Sequence, residues 1–464
     1  MGGALRDTLS GRPVQDVDVA VRGQVDELAR RLAGRLGGAV FAVSERFATW
    51  RVVLPAGRAL LAEPVQGAAA EAAASRGVER EPLGGHVDLA PLRGTTIADD
   101  LAARDFTVDA LARDARTGEL LDPLGGLGDL TARRLRACSA AALTADPLRV
   151  IRLVRLAHAL GLAPVAGLEA TARAAAPGLS GVSGERVEQE LTKLLSLPAA
   201  ARAVADLDRL GALEVVLPEV TALKGVTQNA YHHLDVFAHT LEAVSYLPGI
   251  VAQVGGPAPP ASPSSLGLAG GAGPLAPLTY AVLLHDIGKP AARDLDEAGN
   301  VRFWYHDAIG ARLVVDVARR LRLRKRFEQY LRLLVRRHLR LGFLVREKPL
   351  SRRALAHFRR DVEPFVYEAI IVSLCDRMAT RGPKTSPESI ARHFRLARDV
   401  WEGVPPPAPR LLTGNDVMEL LDLPPGPEVG RALRALQDEI EAGAVPNRAQ
   451  AERFVRAWWE RDRE

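Results

Sequence analysis

Residues Met1–Val21, MGGALRDTLSGRPVQDVDVAV, join a Gly-Gly pair, an Arg-Asp couple, a Gly-Arg-Pro turn and an Asp-x-Asp inside an apolar run. Asp16-Val-Asp-Val-Ala-Val alternates like a strand, and side chains two apart on a strand share a face. Asp16 and Asp18 are therefore expected to project together. Two carboxylates that close repel unless cations lie between them. Hard divalent ions such as Mg²⁺ take oxygen ligands and arrive with phosphates. Gly2 and Gly3 let a backbone approach phosphate oxygens, and Arg6 offers a bidentate fork to grip them. Glycines for a triphosphate, with paired carboxylates for two metal ions, are the equipment of nucleotidyl transfer, in which an RNA hydroxyl attacks an α-phosphate. A bare Asp-x-Asp is more often solvated surface; the whole string sets this one apart.

Composition narrows the setting. A chain of 464 residues with 47% apolar content has length for large cores and about two to four domains. Net charge is only +5, yet the sequence pI of about 9.4 and clustered arginines suit a polyanion partner. Two cysteines, Cys138 and Cys375, lie far apart and lack metal-ligand spacing, which excludes a disulfide framework and a zinc finger and points to a reducing cytoplasm. No secretory leader and no apolar run of membrane-spanning length is present.

The opening string resembles the first signature of the bacterial-type (class II) tRNA nucleotidyltransferase and poly(A) polymerase family. That family carries a strand or helix before its Gly-Gly, so a start at Met1 implies a truncated beginning or a missing edge element. After the acidic strand, Gln24–Gly37 reads as an amphipathic helix, Ala39–Val43 and Thr49–Leu54 as strands, and Arg58–Ala62 as a further strand. Gln66–Arg80 is Ala-rich and reads as a mobile insert. His86-Val-Asp-Leu-Ala is another alternating strand, followed by Pro91-Leu-Arg-Gly; the resemblance implies that Asp88 supplies a third carboxylate and that Arg93 lies near the nucleotide. Ala103-Arg-Asp-Phe-Thr-Val-Asp-Ala resembles the family's second signature, with Ala103 where the family has Arg and Asp109 where it has Asn. Arg104 and Asp105 then imply ribose or triphosphate contacts.

Asp146-Pro-Leu-Arg opens a strong helix, with Asp146 as N-cap and Pro at its first turn. Asp146 and Arg149, three apart, are expected on one face, either as a solvated ion pair or as a reader of bases. A carboxylate accepting from an exocyclic amine, beside a guanidinium donating to the ring acceptor, selects C and A over U and G. The resemblance favours base reading, since the family carries Glu-Asp-x-x-Arg here as its protein template. It also implies nucleotide contacts for Arg152 and Arg155. Ser183–Leu195 continues as helix, as does Ala201–Leu217.

A different chemistry begins at Gln228. Asn-Ala-Tyr-His-His-Leu-Asp-Val-Phe-Ala-His precedes a Pro/Gly/Ala/Ser-rich stretch, 255–276, that reads as a flexible insert. Tyr280-Ala-Val-Leu-Leu-His-Asp-Ile-Gly-Lys-Pro then sets a His-Asp doublet inside an apolar helix. A buried Asp beside His is costly unless a cation compensates it. The ordered set resembles an HD-type metal-dependent phosphohydrolase domain, which implies ligation by His239, His285, Asp286 and Asp376, with His306 and His338 for a second metal of unspecified identity. Such a domain hydrolyses phosphoesters at RNA 3′ ends or serves as scaffold. The basic runs Arg319–Arg326 and Arg336–Arg340 are either a solvated face or a contact for RNA phosphates.

The expected fold is α+β: a small mixed-sheet nucleotidyltransferase head (1–137), an all-α neck (138–225), an HD-type helical domain (226–385, with an insert near 254–277) and a helical tail (386–464). The expected activity is template-independent building or repair of the tRNA 3′ CCA end from CTP and ATP in the cytoplasm, with Asp16, Asp18 and Asp88 serving two Mg²⁺ ions. Alternatives are a CC-only or A-only tRNA enzyme, a poly(A) polymerase, and an HD phosphohydrolase with a degraded head.

Overall fold

The alternation in the acidic stretch becomes strand β1, Asp16–Val21, in a computed structural model that describes residues 1–14, 16–44, 48–55, 85–255, 261–268, 271–346 and 349–462. Helix α1 (Gly3–Leu9) precedes β1, and α2 (Val25–Leu36) follows it, closed by Gly37 in the left-handed region. Strands β2 (Ala39–Ser44), β3 (Thr49–Val53) and β4 (His86–Pro91) complete a mixed sheet ordered β1-β4-β3-β2. β1 runs parallel to β4, and the other neighbours are antiparallel. The sequence-predicted strand at Arg58–Ala62 and the insert at Gln66–Arg80 lie outside the described residues.

Period-two alternation divides this sheet into two faces. Val17, Val19, Val21, Val52, Val87 and Leu89 meet Val25, Ala29 and Ala33 of α2, forming the head's apolar core. The other face carries the acids. Register follows from that burial, because a one-residue slip would turn the valines to water and the carboxylates inward.

The chain divides into two units, one of residues 1–182 with 210–212 and the other of residues 183–209 with 213–464. The sequence boundaries at 137/138, 225/226 and 385/386 do not mark this division, for identifiable reasons. Helix α3 (Leu148–Leu160) is tied to the head by Arg149, which donates to the carbonyls of Ala103 (2.9 Å) and Arg104 (3.2 Å). In the second unit, helix α4 (Pro427–Glu441) is held by Arg359, whose Nη2 donates to Glu441 at 2.7 Å in a fully buried pair.

Three local expectations are corrected. Asp146 does not cap α3: Pro147 occupies the cap position, and Asp146 sits in extended backbone (φ −142°, ψ 94°) ending a preceding helical turn, so it shares no helix face with Arg149. The His-Asp doublet is not inside a helix, because helix α5 (Ala276–Leu284) ends just before His285. The described part of the insert is packed: Ser262 caps the turn Pro263–Leu266, and Ala261, Leu266 and Leu268 are buried. Those apolar side chains gain more from burial than the glycines around them lose in freedom.

Candidate functional sites

On the acidic face of the head, strand register lines the functional side chains across the sheet. Asp18 pairs with Asp88 and Asp16 with His86 across β1–β4, while Arg51 on β3 pairs with Asp88 from the other side. Asp16 and Asp18 are solvent-exposed and Asp88 is half-buried. Arg51 grips Asp88 bidentately, with both N–H···O distances 2.7 Å. His86 Nδ1 lies 2.8 Å from Asp16 and its Nε2 3.7 Å from Asp88. The sheet thus gathers three carboxylates whose repulsion is met on one side by a guanidinium and an imidazole. Exposed carboxylate oxygens suit a hard divalent ion, but among the described residues these three do not converge as a ligand cluster, and Arg51 holds both oxygens of Asp88. Sequence reasoning missed Arg51 and His86; alternation on β3 and β4 put both on the acidic face and was the available signal.

Gly2 and Gly3 lead into α1 beside this face. A side chain at Gly2 would be strained by φ +68° and would displace the Arg104 guanidinium, whose Nη1 lies 2.3 Å from the Cβ position, with Asp18 Oδ2 3.4 Å away. Arg6 is not held out toward a ligand: its guanidinium pairs with Asp7 (2.8 Å) and with Asp109. Asp109 is buried, and burial raises its carboxyl pKa against the opposing pull of Arg6. Arg152 Nε lies 2.7 Å from Asp105 and its Nη2 4.0 Å from Asp109, while the charge of Arg155 is also felt by Asp109. Arg104 lies 3.5 Å from Asp100 and donates to the carbonyl of Asp109 at 3.2 Å. Arg93 is exposed, and its backbone N–H donates to Asp100. The second signature therefore works as a buried acid pair, Asp105 and Asp109, laced by arginines from α1 and α3.

In the second unit, His239 sits on helix α6 (Val236–Val254), whose start is fixed by Asp235 accepting from Ala238 N at 2.8 Å. His285 and Asp286 follow α5. His306 opens helix α7 (His306–Arg320), His338 ends helix α8 (Lys325–Arg337), and Asp376 lies on helix α9 (Val366–Ala379). The fold brings all six together. Asp286 Oδ2 is 3.0 Å from His285 Nε2 and 3.7 Å from His239 Nε2; Oδ1 is 3.6 Å from His306 Nε2 and 3.8 Å from His338 Nε2. Asp376 Oδ1 lies 3.1 Å from His239 Nε2. Each oxygen of Asp286 thus faces its own pair of histidines, the arrangement of a carboxylate shared by two cations. His232, quoted in sequence but not assigned, joins His239 and Asp376 as a third possible ligand group.

The hydrogen bonds behind these rings decide what they offer. Nδ1 of His285, His306 and His338 lies 2.7–2.8 Å from the carbonyls of Val282, Phe303 and Val335, and that of His239 lies 3.3 Å from the carbonyl of Ala379. A carbonyl only accepts, so each Nδ1 carries a proton and the Nε2 of a neutral ring presents a lone pair inward; His285 is the exception, because against the opposing effect of burial Asp286 raises its pKa and accepts from its Nε2 at 3.0 Å. His306 and His338 then face each other Nε2 to Nε2 at 3.3 Å with no proton to share while neutral. Burial lowers the His338 pKa to about 3 and lowers that of His306. A metal cation resolves this convergence of lone pairs, and the mixed imidazole–carboxylate set fits a divalent transition ion. Asp286 is buried, and although burial opposes its ionisation, His285 and Lys289 hold its carboxyl well below the usual range. Lys289 Nζ lies 2.6 Å from it. Gly288 permits the doublet's close approach to α7: a Cβ there would lie 2.0 Å from the carbonyl oxygen of His306.

The two sites define a metal-dependent nucleotidyltransferase head joined to an HD-type centre. Residues 1–136 match the poly A polymerase head domain, 167–224 the probable RNA- and SrmB-binding site of polymerase A, and 236–381 the HD domain. The A-adding tRNA nucleotidyltransferase of Deinococcus radiodurans is 36% identical over 99% of this chain and 95% of its own. The CC-adding tRNA nucleotidyltransferase of Thermus thermophilus is 33% identical over 99% and 93%. A CCA-adding enzyme solved in complex with ATP shares the fold at TM-score 0.59 and 18% identity, covering 99% of this chain and 90% of that one. The chain belongs to the tRNA nucleotidyltransferase family with a poly(A) polymerase-type head and an HD domain. No helix among the described residues is long and apolar enough to cross a membrane.

Proposed function

We propose that the head extends the 3′ end of tRNA toward CCA with CTP and ATP in the cytoplasm, using Mg²⁺. The observation that carries this reading is the register of Asp16, Asp18 and Asp88 on one sheet face beside Gly2. Bound Mg²⁺ would supply charge neutralisation and acidify the attacking hydroxyl. Asp16 and Asp18 hold that charge, and Arg51 fixes the rotamer of Asp88. The tRNA 3′ hydroxyl gives its proton to water, its oxygen bonds to the α-phosphorus, the α–β phosphoanhydride bond breaks, and pyrophosphate leaves with that electron pair. Gly2 and Gly3 line the approach to the triphosphate, with Arg93 and Arg104 as further contacts. Asp146 and Arg149 remain the proposed base readers. Arg149's bonds to the Ala103 and Arg104 carbonyls link base choice to the second signature.

A narrower reading is favoured by one finding: relatives matching 99% of this chain are A-adding and CC-adding enzymes. Extension assays on tRNA ending before, within or one nucleotide short of CCA, with labelled CTP or ATP, separate the cases. Arrest at CCA supports the full activity, arrest at CC or a requirement for CC supports a partial one, and long A-tails make it a poly(A) polymerase. Asp18→Ala is expected to abolish incorporation while leaving tRNA binding near normal; residual turnover refutes the metal-site assignment.

We also read the HD centre as a phosphomonoester hydrolase. Its support is the convergence of four imidazole Nε2 atoms on Asp286. Water bonds to phosphorus, the bond to the nucleoside oxygen breaks, and a water proton ends on that oxygen. Release of phosphate from p-nitrophenyl phosphate with added Mn²⁺, Co²⁺ or Ni²⁺ tests this.

A further inference from the structure

Strand register draws a straight row across the acidic face of the head: Asp18, Asp88, Arg51 and Phe41, one from each of β1, β4, β3 and β2. The first three are accounted for by charge. Phe41 is not: it is 48% exposed and stands apart from the head's apolar core, which takes up the adjacent Val40 on the opposite face. Val53, 37% exposed, and the exposed Ala39 are register partners on the same face beside it, so the row ends in an apolar strip. β2 is an outer strand of the sheet, where bare apolar surface invites unwanted pairing and marks an interaction site when it is kept. The opposite end of the row faces the nucleotide. Gly2 lies against Asp18 on β1, the other outer strand, with Arg104 beside it: the Cβ position of Gly2 is 2.3 Å from Arg104 Nη1 and 3.4 Å from Asp18 Oδ2. An in-line displacement sets the attacking and leaving oxygens on opposite sides of the phosphorus. With the triphosphate held at β1, pyrophosphate departs on that side, and the attacking 3′ oxygen comes from the side of β4, β3 and β2. The acceptor strand then crosses Arg51, whose partly exposed guanidinium offsets the repulsion between its phosphates and the carboxylates.

We propose that Phe41 stacks against a base of the acceptor RNA just upstream of its terminal nucleotide, which makes the β2 edge part of the track that brings the 3′ hydroxyl to the carboxylates. This rests on the nucleotidyltransferase reading of the head. Three strand steps of about 4.8 Å put Phe41 roughly 14 Å from Asp18. That span exceeds the distance from a nucleotide's 3′ oxygen to its own base, so the ring meets the base before it. A phenyl ring offers a π-face and no hydrogen bonds, so it grips unpaired bases with little regard to sequence. The contact therefore acts on the acceptor and not on the choice between CTP and ATP, which is made at the other end of the row.

The test uses the full chain with Mg²⁺ and tRNA transcripts ending before CCA, in C and in CC, taking those the wild type extends. Phe41→Ala is expected to lower kcat/KM for the transcript about tenfold, with the KM for the incoming nucleotide within about twofold of wild type. Phe41→Trp should recover most of that loss. An abasic residue in place of the base just upstream of the terminal nucleotide should cost the wild type about tenfold and Phe41→Ala about twofold or less. A second readout is independent of catalysis. A transcript carrying iodouracil at that position is bound without nucleotide and irradiated, and the adduct is located by mass spectrometry, with Phe41 the expected site. Phe41 is exposed on an outer strand, so the variants should keep wild-type circular dichroism. Equal losses on intact and abasic transcripts, a loss confined to the nucleotide KM, or a cross-link elsewhere overturns the inference and leaves the head's activity standing. So does a wild-type dimer that Phe41→Ala turns to monomer, which assigns the strip to a second copy of the chain. If the wild type extends no transcript, the head reading fails and the cross-link alone decides. An adduct on Phe41 then supports the acceptor contact, and none, or one elsewhere, refutes it.

Discussion

Replacing Asp286 with Asn tests whether the HD centre is held together electrostatically before any metal binds. The carboxylate is buried, with 1% of its side chain exposed, and Lys289 Nζ, 7% exposed, sits 2.6 Å away. Removing one partner of a buried pair leaves an uncompensated charge and costs about 3–5 kcal/mol. Lys289 keeps Gln228 Oε1 at 2.7 Å and the Phe303 ring at 5.4 Å, which places the loss near the lower end. A loss of about 3 kcal/mol corresponds to a fall of roughly 6–12 °C in Tm for a domain of this size class. The assay is thermal unfolding in chelator of wild type, Asp286→Asn, Lys289→Met and the double variant. The double variant should recover much of the single loss, giving a coupling of about 2 kcal/mol or more. Wild type should also gain about 2.7 kcal/mol at a hundredfold excess of metal over Kd, a gain that Asp286→Asn lacks. An Asp286→Asn protein melting within about 2 °C of wild type, with no coupling, would refute the reasoning.

Burial drives His232 and His338 to a pKa of about 3, below the unfolded value near 6.5. Their contribution is therefore full above pH 6.5 and is lost on acidification; metal-free stability should fall between pH 6.5 and 4 by about 1.4 kcal/mol per pH unit for each, as urea titrations would read. His285 is shifted upward by Asp286 against the opposing effect of burial, so it is protonated in both states across that window and adds nothing there. Asp109→Asn should release Arg6 from one of its two carboxylates and lower the nucleotide KM about threefold to tenfold; a raised KM in steady-state extension would count against Arg6 as a latent triphosphate contact. Gly288→Ala should push the doublet off α7, destabilising the domain by several kcal/mol or preventing soluble expression, because the added carbon meets backbone rather than a yielding side chain.

Much of this protein was legible in short-range pattern. Period-two alternation placed Asp16 and Asp18 on one face, and the order of the histidines and aspartates singled out side chains that the fold gathers at the second centre. These readings need only local geometry and residue chemistry. Tertiary structure decided the rest. That Arg51 and His86 join the acidic face depends on strand order and register, which arise from packing valines against α2. That Arg6 is clasped by Asp109 depends on a residue 103 positions further along the chain returning to α1. The helix expected to contain His285 ends one residue before it, because the doublet must turn to meet His306 and His338. Sequence by itself determined which groups were available and what charge they carry; only the packed chain decided which lone pairs and charges face one another, since those distances are set by burial among residues far apart in sequence.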